Sequence, residues 1–399
     1  MNRLLPLVLL AASPALAETD VSTLIATNGL RAAEVELAAL AAPTPSERFA
    51  LGGVRFLGGV ERALQTRWRT GLSDGLVTLV DLPILRLPIA ENPNPAPFEG
   101  AIIAALFAGV GTDMAGAIPL LEGIGADEAV GLMIDTGDIW FDIDMDGRRS
   151  AGEGLVDLVG LGLTGGFGEA LPGAQVRFDT ADAAWLAAYA HLLAGLADLV
   201  TAFDPAAAID DTLAARRAMA DLNAAVGQPF GAGMGYEFAD YADLAVMVVG
   251  ALERQPDPAL TRSAQAHWLA VIGQNRLFWQ RVATETDNAA EWIPNKAQVS
   301  ALNLPFPPDT GQAWLNVLKD AEDLLTGRSL LPHWRLGDGA GVDLNALMQD
   351  PPVVDVLGIV HGMTLVPYMR QGRLINGDSL WRFEQMVQGD AGLYMVLLN

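Results

Sequence analysis

Apolar side chains recur at helical spacing through most of this 399-residue chain, and that period limits the available folds more than any motif does. The clearest stretches are 29–41, 46–70, 100–122, 182–203, 206–226, 238–254, 258–284, 311–326 and 379–388. Two starts carry helix-initiating chemistry. Pro45-Ser46-Glu47 precedes an amphipathic run, and Asp179-Thr180-Ala181-Asp182 offers capping oxygens ahead of Trp185, Leu186, Tyr189, Leu192, Leu193 and Leu196. The expected fold class is mainly α, a multi-helix bundle-like globular protein with long irregular connections. Hydrophobic residues make up 51% of the chain, enough for a sizeable core. There is no cysteine, which removes disulfides, thiol catalysis and cysteine-ligated metals together.

The length exceeds what one compact core usually serves. Two helical lobes are expected, 18–175 and 176–399, with a single elaborated domain as the alternative. Within the first, Leu51-Gly52-Gly53-Val54-Arg55-Phe56 is echoed by Leu57-Gly58-Gly59-Val60-Glu61-Arg62. Glycine in a helix costs about 1 kcal/mol against alanine, so the pattern implies another helix approaching over a smooth face. Pro83, Pro88, Pro93, Pro95 and Pro97 mark an extended connection, and the run from Gly154 to Gly173 reads as a second irregular zone.

Residues 1–17 combine a basic start at Arg3, an apolar stretch Leu4–Ala12 and a small-residue end at Ala15-Leu16-Ala17. This pattern predicts a secretory signal peptide cleaved after Ala17, and hence a periplasmic or secreted protein. The formal net charge is −24, which argues against nucleic acid and anionic membranes as partners. The stretch 183–203 is apolar enough to raise a membrane span, but His191 and Asp198 within it favour a buried bundle helix. The run 101–110 reads as too short to span, so no membrane span is expected.

One segment names its ligand. Asp142-Ile143-Asp144-Met145-Asp146-Gly147-Arg148-Arg149-Ser150-Ala151-Gly152-Glu153 places carboxylates at alternate positions and a glycine where a sharp turn is needed. A hard dication such as Ca2+ takes six to eight oxygens at about 2.3 to 2.6 Å. These twelve residues resemble the EF-hand calcium loop and related loops of secreted calcium-stabilised proteins. The resemblance implies Asp142, Asp144 and Asp146 as ligands, Arg148 through its carbonyl, Ser150 directly or through water, and Glu153 closing the cage with both oxygens. Arg149 stands where paired hands carry an apolar bridging residue, and 132–141 is too β-branched for a good entering helix. A solitary structural Ca2+ is therefore expected.

Catalytic signatures are weak. Gly71-Leu72-Ser73-Asp74-Gly75 lacks the strand before it that a nucleophile elbow needs. Gly160-Leu161-Gly162-Leu163-Thr164-Gly165 has no surrounding βαβ unit, and Gly231-Ala232-Gly233-Met234-Gly235 reads as a connection. His191 and His267 sit in apolar helical patterns as interior histidines, whereas His333 and His361 flank Asp338, Asp343, Asp350 and Asp355 and leave a His/Asp pair open. The leading expectation is an exported calcium-binding protein with a binding or structural role. The alternative is a periplasmic hydrolase whose active site the sequence does not reveal.

Overall fold

Thr44 Oγ1 accepts a hydrogen bond from the Glu47 amide (3.2 Å) while the Glu47 carboxylate accepts one from the Thr44 amide (2.8 Å). With Pro45 in the first turn, this reciprocal cap starts a helix, α2 (Pro45–Arg69), where the sequence pattern places it. The computed structural model describes residues 20–72, 84–85, 87–163, 173–228 and 238–388, together with Tyr394 and Leu398. The expected signal peptide, Ser73 of the G-x-S-x-G string and the glycine string 231–235 lie outside these residues.

The protein is mainly α, with twelve α-helices among the described residues. Around α2 lie α1 (Val21–Ala38), α3 (Ala101–Glu122), α4 (Leu155–Leu163) and α5 (Thr180–Phe203). Beyond them come α6 (Ala206–Ala225), α7 (Ala239–Leu252), α8 (Pro258–Val282), α9 (Thr310–Leu325) and the short α10 (Leu344–Gln349), α11 (Val356–His361) and α12 (Asp378–Met386). Two antiparallel ribbons complete the set. Strand β1 (Gly131–Asp135) pairs with β2 (Gln175–Asp179), and β3 (Ala340–Val342) with β4 (Met369–Gln371). The β-branched stretch before the acidic loop is thus a strand, not an entering helix.

Helix α5 is the organising element, packing against α3 on one side and α8 on the other. One apolar core runs from Val21 to Ala197 and takes Ala187, Ala190 and Leu193 from α5; a second, centred on Ile272, Phe278, Trp314 and Phe383, takes Ala181 and Ala184. The expected lobe boundary near 175 falls just before the helix that both cores share. Phe107, Phe141, Phe278 and Phe383 are among the largest fully buried side chains, and each such burial stabilises by about 1.5 to 3 kcal/mol.

Close helix packing explains several small residues. A Cβ on Gly52 would lie 2.7 Å from Leu121 Cδ2, and one on Gly59 2.8 Å from Asp113 Cβ, so α3 rests on bare backbone of α2 at these positions. On α5, a Cβ at Gly195 would come within 2.5 Å of the Trp268 indole nitrogen on α8. Arg67 is 1% exposed and makes no ion pair among the described residues. Its guanidinium donates to the carbonyls of Leu72 (3.1 Å), Ile84 (2.7 Å) and Leu87 (2.8 Å), tying down the connection after α2. Burial pushes its pKa down to about 10.

Two sequence expectations are corrected here. The run 101–110 continues past Asp113 as one helix of 22 residues, so α3, like α5, is long and apolar enough to cross a bilayer. Gly154 to Gly173 is not irregular throughout, because α4 forms despite Gly160 and Gly162. The Gly154 carbonyl accepts from the Asp157 and Leu158 amides, and Leu158 is 1% exposed. Burial outweighs glycine's poor helix propensity there.

Candidate metal centre

The acidic loop is closed at its base by the protein's own backbone. Trp140 and Gly154 form an antiparallel bridge, with the Phe141 amide donating to the Glu153 carbonyl and the Leu155 amide to the Ile139 carbonyl, each at 2.9 Å. Ile139, Trp140, Phe141 and Ile143 are buried. The Trp140 indole donates to the Ile25 carbonyl (2.8 Å) and packs against Gly29, where φ of 77° breaks α1. Ser22 at the start of α1 accepts from the Asp135 amide and donates to Asp138, fixing the turn that leads into the loop.

Within the loop, alternate aspartates point to one side. One carboxylate oxygen from each of Asp142, Asp144 and Asp146 lies within 4.8 Å of the other two. Loop amides orient them: Gly147 donates to Asp142 (3.1 Å), Asp146 to Asp144 (3.1 Å) and Arg148 to Asp146 (2.7 Å). Gly147 has φ of 74°, as the turn requires, and Met145 shares this left-handed region at φ of 63°. Arg148 and Ser150 lie on the exposed rim. The Arg149 guanidinium reaches back to the Gly137 carbonyl (2.7 Å), so position 8 of the loop fastens to the preceding turn.

Glu153 occupies a different place from the three aspartates. It is 5% exposed. One oxygen accepts from the amides of Ile143 (2.9 Å) and Asp144 (3.4 Å), the other from the Ser150 amide (2.7 Å). Burial pushes this carboxyl above its ordinary range, partly offset by those three amides. The expected bidentate closing residue thus spans the loop from beneath and holds its backbone in shape.

Sequence reading missed Glu61 and Gln65, four residues apart on α2. Glu61 accepts from the Asp142 amide (2.9 Å) and Gln65 donates to the Asp142 carbonyl (2.8 Å), so one helix face grips the first loop residue from both sides. Glu61 is 6% exposed and its carboxyl is raised, first by burial and then by the charge of Asp142. The available signal was two polar side chains at helical spacing on a face otherwise turned to the core.

A second carboxylate group joins Asp179, Glu285 and Glu291, again with one oxygen of each within 4.8 Å of the others. Asp179 caps α5 by accepting from the Ala181 amide (2.7 Å), and Asp182 accepts from the Asp179 amide (2.9 Å), completing the expected capping pair. Glu285 accepts from Gln298 (3.2 Å) and Glu291 from the Ala289 amide (2.7 Å). Burial, followed by the charge of Asp179, pushes Glu285 up to about 7; the same two causes raise Asp182 well above the carboxylate range. The histidines of the C-terminal segment do not assemble a pair with the acidic residues there. Among the described residues, no hydrogen bond or ion pair joins His333 or His361 to Asp338, Asp343, Asp350 or Asp355; His333 instead faces the Ile359 carbonyl at 3.3 Å.

Fold and site together define a mainly α-helical protein that carries, among the described residues, two groups of carboxylates that could hold a metal ion. No family model, no curated protein and no solved structure matches the chain.

Proposed function

We propose that residues 142–153 bind one Ca2+ and that this exported helical protein uses the ion as a structural staple. The observation that carries the reading is the convergence of Asp142, Asp144 and Asp146 on the open side of a loop whose backbone is already held by Glu153, Glu61 and Gln65. Three hard oxygen donors in a shaped loop suit a hard dication. Asp142, Asp144 and Asp146 would supply charge, with the Arg148 carbonyl and the Ser150 hydroxyl near enough in sequence to add donors from the rim. The loop connects the β1–β2 ribbon, α2 and α4, so an ion there would tie three elements of the first core together. Bound Ca2+ at a hundred times its Kd would stabilise the fold by about 2.7 kcal/mol through mass action. The export reading rests on the signal-like pattern of residues 1–17, and the protein's own role is to bind or scaffold a partner.

Calorimetric titration of Ca2+ into chelator-stripped protein, residues 18–399, tests the proposal. One site per chain and a higher melting temperature with the ion are expected. Asp144→Asn keeps the shape of the side chain and should weaken affinity at least tenfold, about 1.4 kcal/mol, while leaving metal-free melting unchanged. Absence of binding heat together with unchanged melting would reduce the loop to an acidic turn.

A further inference from the structure

Helices α3, α5 and α8 bring together four ionisable side chains that the calcium reading does not use. His191 and Asp198 stand seven residues apart on α5, His267 and Gln274 seven apart on α8, and Glu122 ends α3. The imidazoles meet through their Nδ1 atoms at 2.7 Å, with ring centroids 5.0 Å apart. Outward from that contact, His191 Nε2 lies 3.1 Å from Glu122, and His267 Nε2 lies 3.8 Å from Asp198. Glu122 also accepts from Gln274 (2.7 Å). His191 is buried, and Asp198 Oδ2 and Gln274 Oε1 are buried with no hydrogen-bond partner.

Counting protons along this chain shows what it requires. Glu122 accepts, so His191 carries its proton on Nε2 and presents a bare Nδ1. That bare nitrogen can only be satisfied by Nδ1–H of His267. If His267 is neutral, its Nε2 is then bare and faces the Asp198 carboxylate with no proton between them. Adding one proton at His267 Nε2 supplies the missing donor, and its charge is balanced by a carboxylate at each end. A second added proton would put hydrogen on both Nδ1 atoms and set two cations against each other at contact distance. A metal ion shared by the two Nδ1 atoms fits less well, since two nitrogens on tetrahedral Zn2+ stand about 3.3 Å apart.

We propose that His191 and His267 form one proton-binding unit between Glu122 and Asp198, which latches α8 to α3 and α5 through the single hydrogen between the two Nδ1 atoms and releases them when a second added proton puts hydrogen on both. The charged groups acting on His267 are His191, Asp198 and Glu122, with no Lys or Arg among them. Burial, followed by the neighbouring His191, holds His267 below its ordinary range of about 6.5, so the folded pair resists gaining charge from the outset. An unfolded histidine accepts a proton near pH 6.5, whereas folded His267 accepts one only at lower pH. The contribution to stability is therefore complete above about 6.5 and is lost as the pH falls below it.

Nuclear magnetic resonance titration of the four histidine rings from pH 8 to 4.5 tests the proposal, alongside melting temperature over the same range. Two coupled steps separated by more than one pH unit are expected for His191 and His267. In His267→Gln, His191 should titrate in a single step, and the variant should lose less melting temperature than the natural chain between pH 7 and 5. Asp198→Asn should narrow the separation of the two steps without abolishing the fold. Two independent steps with ordinary midpoints, or identical melting profiles for the natural chain and His267→Gln, would overturn the latch. So would stoichiometric movement of both ring signals on adding Zn2+ alone at pH 7.5, which would make the unit a metal site.

Discussion

Asp142, Asp144 and Asp146 crowd their carboxylates together on a loop where two are half-buried and the third exposed, whereas Asp179, Glu285 and Glu291 do so at the junction of β2, α5 and the segment after α8, with Glu291 buried and the other two half-buried. The first group comes from one short run of sequence and is oriented by three loop amides; the second is gathered across more than a hundred residues. Crowded negative charge must be relieved in either place. Where solvent and loop carbonyls are at hand, a cation can do it. Where burial adds to the crowding, a proton is favoured, and the Glu285 carboxyl is accordingly pushed up to about 7. Carboxylate proximity alone therefore does not define a cation site.

The contrast can be attacked first through Glu153, which the structure makes a holder of backbone and the EF-hand resemblance makes a ligand. Glu153→Ala strands the Ile143, Asp144 and Ser150 amides, two of them at buried or half-buried positions. It should cost about 3 kcal/mol in urea unfolding of metal-free protein. A variant that loses stability only when Ca2+ is present would restore Glu153 to the ligand set. Next in size is Gly147→Ala. Its added Cβ meets no atom within 4 Å, so the φ of 74° is the sole source of strain. A loss of about 1 kcal/mol is expected in the same assay, and no loss would mean that the turn relaxes to another conformation.

The smallest effect concerns the proton-holding group. The folded pKa of Glu285, about 7, lies above its ordinary value of 4.5, so the folded state binds the proton more tightly between those limits. This carboxyl thus subtracts stability as the pH rises through that window, and the penalty is complete above 7. Glu285→Gln should match the natural chain near pH 4.5 and exceed it at pH 8 by about 1 kcal/mol or less, given partial solvent screening. Its calcium isotherm should be unaltered. Equal stability of the two chains at pH 8 would show that Glu285 ionises freely and would erase the distinction between the groups.

Local chemistry was legible in the sequence. Thr44, Pro45 and Glu47 announce α2 because a helix cap needs only neighbours in the chain, and the acidic loop is readable because all its carboxylates lie within twelve residues. Glycines 52 and 59 signalled a close approach but could not say that α3 makes it. Features assembled across the fold left no comparable trace. Glu61 looks like one polar residue on a helix until Asp142 arrives, Glu285 and Glu291 sit in unremarkable connections, and His191 and His267 read separately as interior histidines. Helix α4 was hidden for the opposite reason, since Gly160 and Gly162 speak locally against a helix that buried Leu158 secures from a distance.

The indole of Trp140 donates to a carbonyl 115 residues earlier, filling the notch at Gly29. A ribosome adding about 5 to 20 residues per second exposes α1 roughly 6 to 23 s before that indole exists. Throughout that interval the amino-terminal helix has no wedge to seat against, and its Gly29 break serves nothing yet made. Helix α1 can meet α2 early, but its seat at Gly29 is completed only once the chain has grown past Trp140.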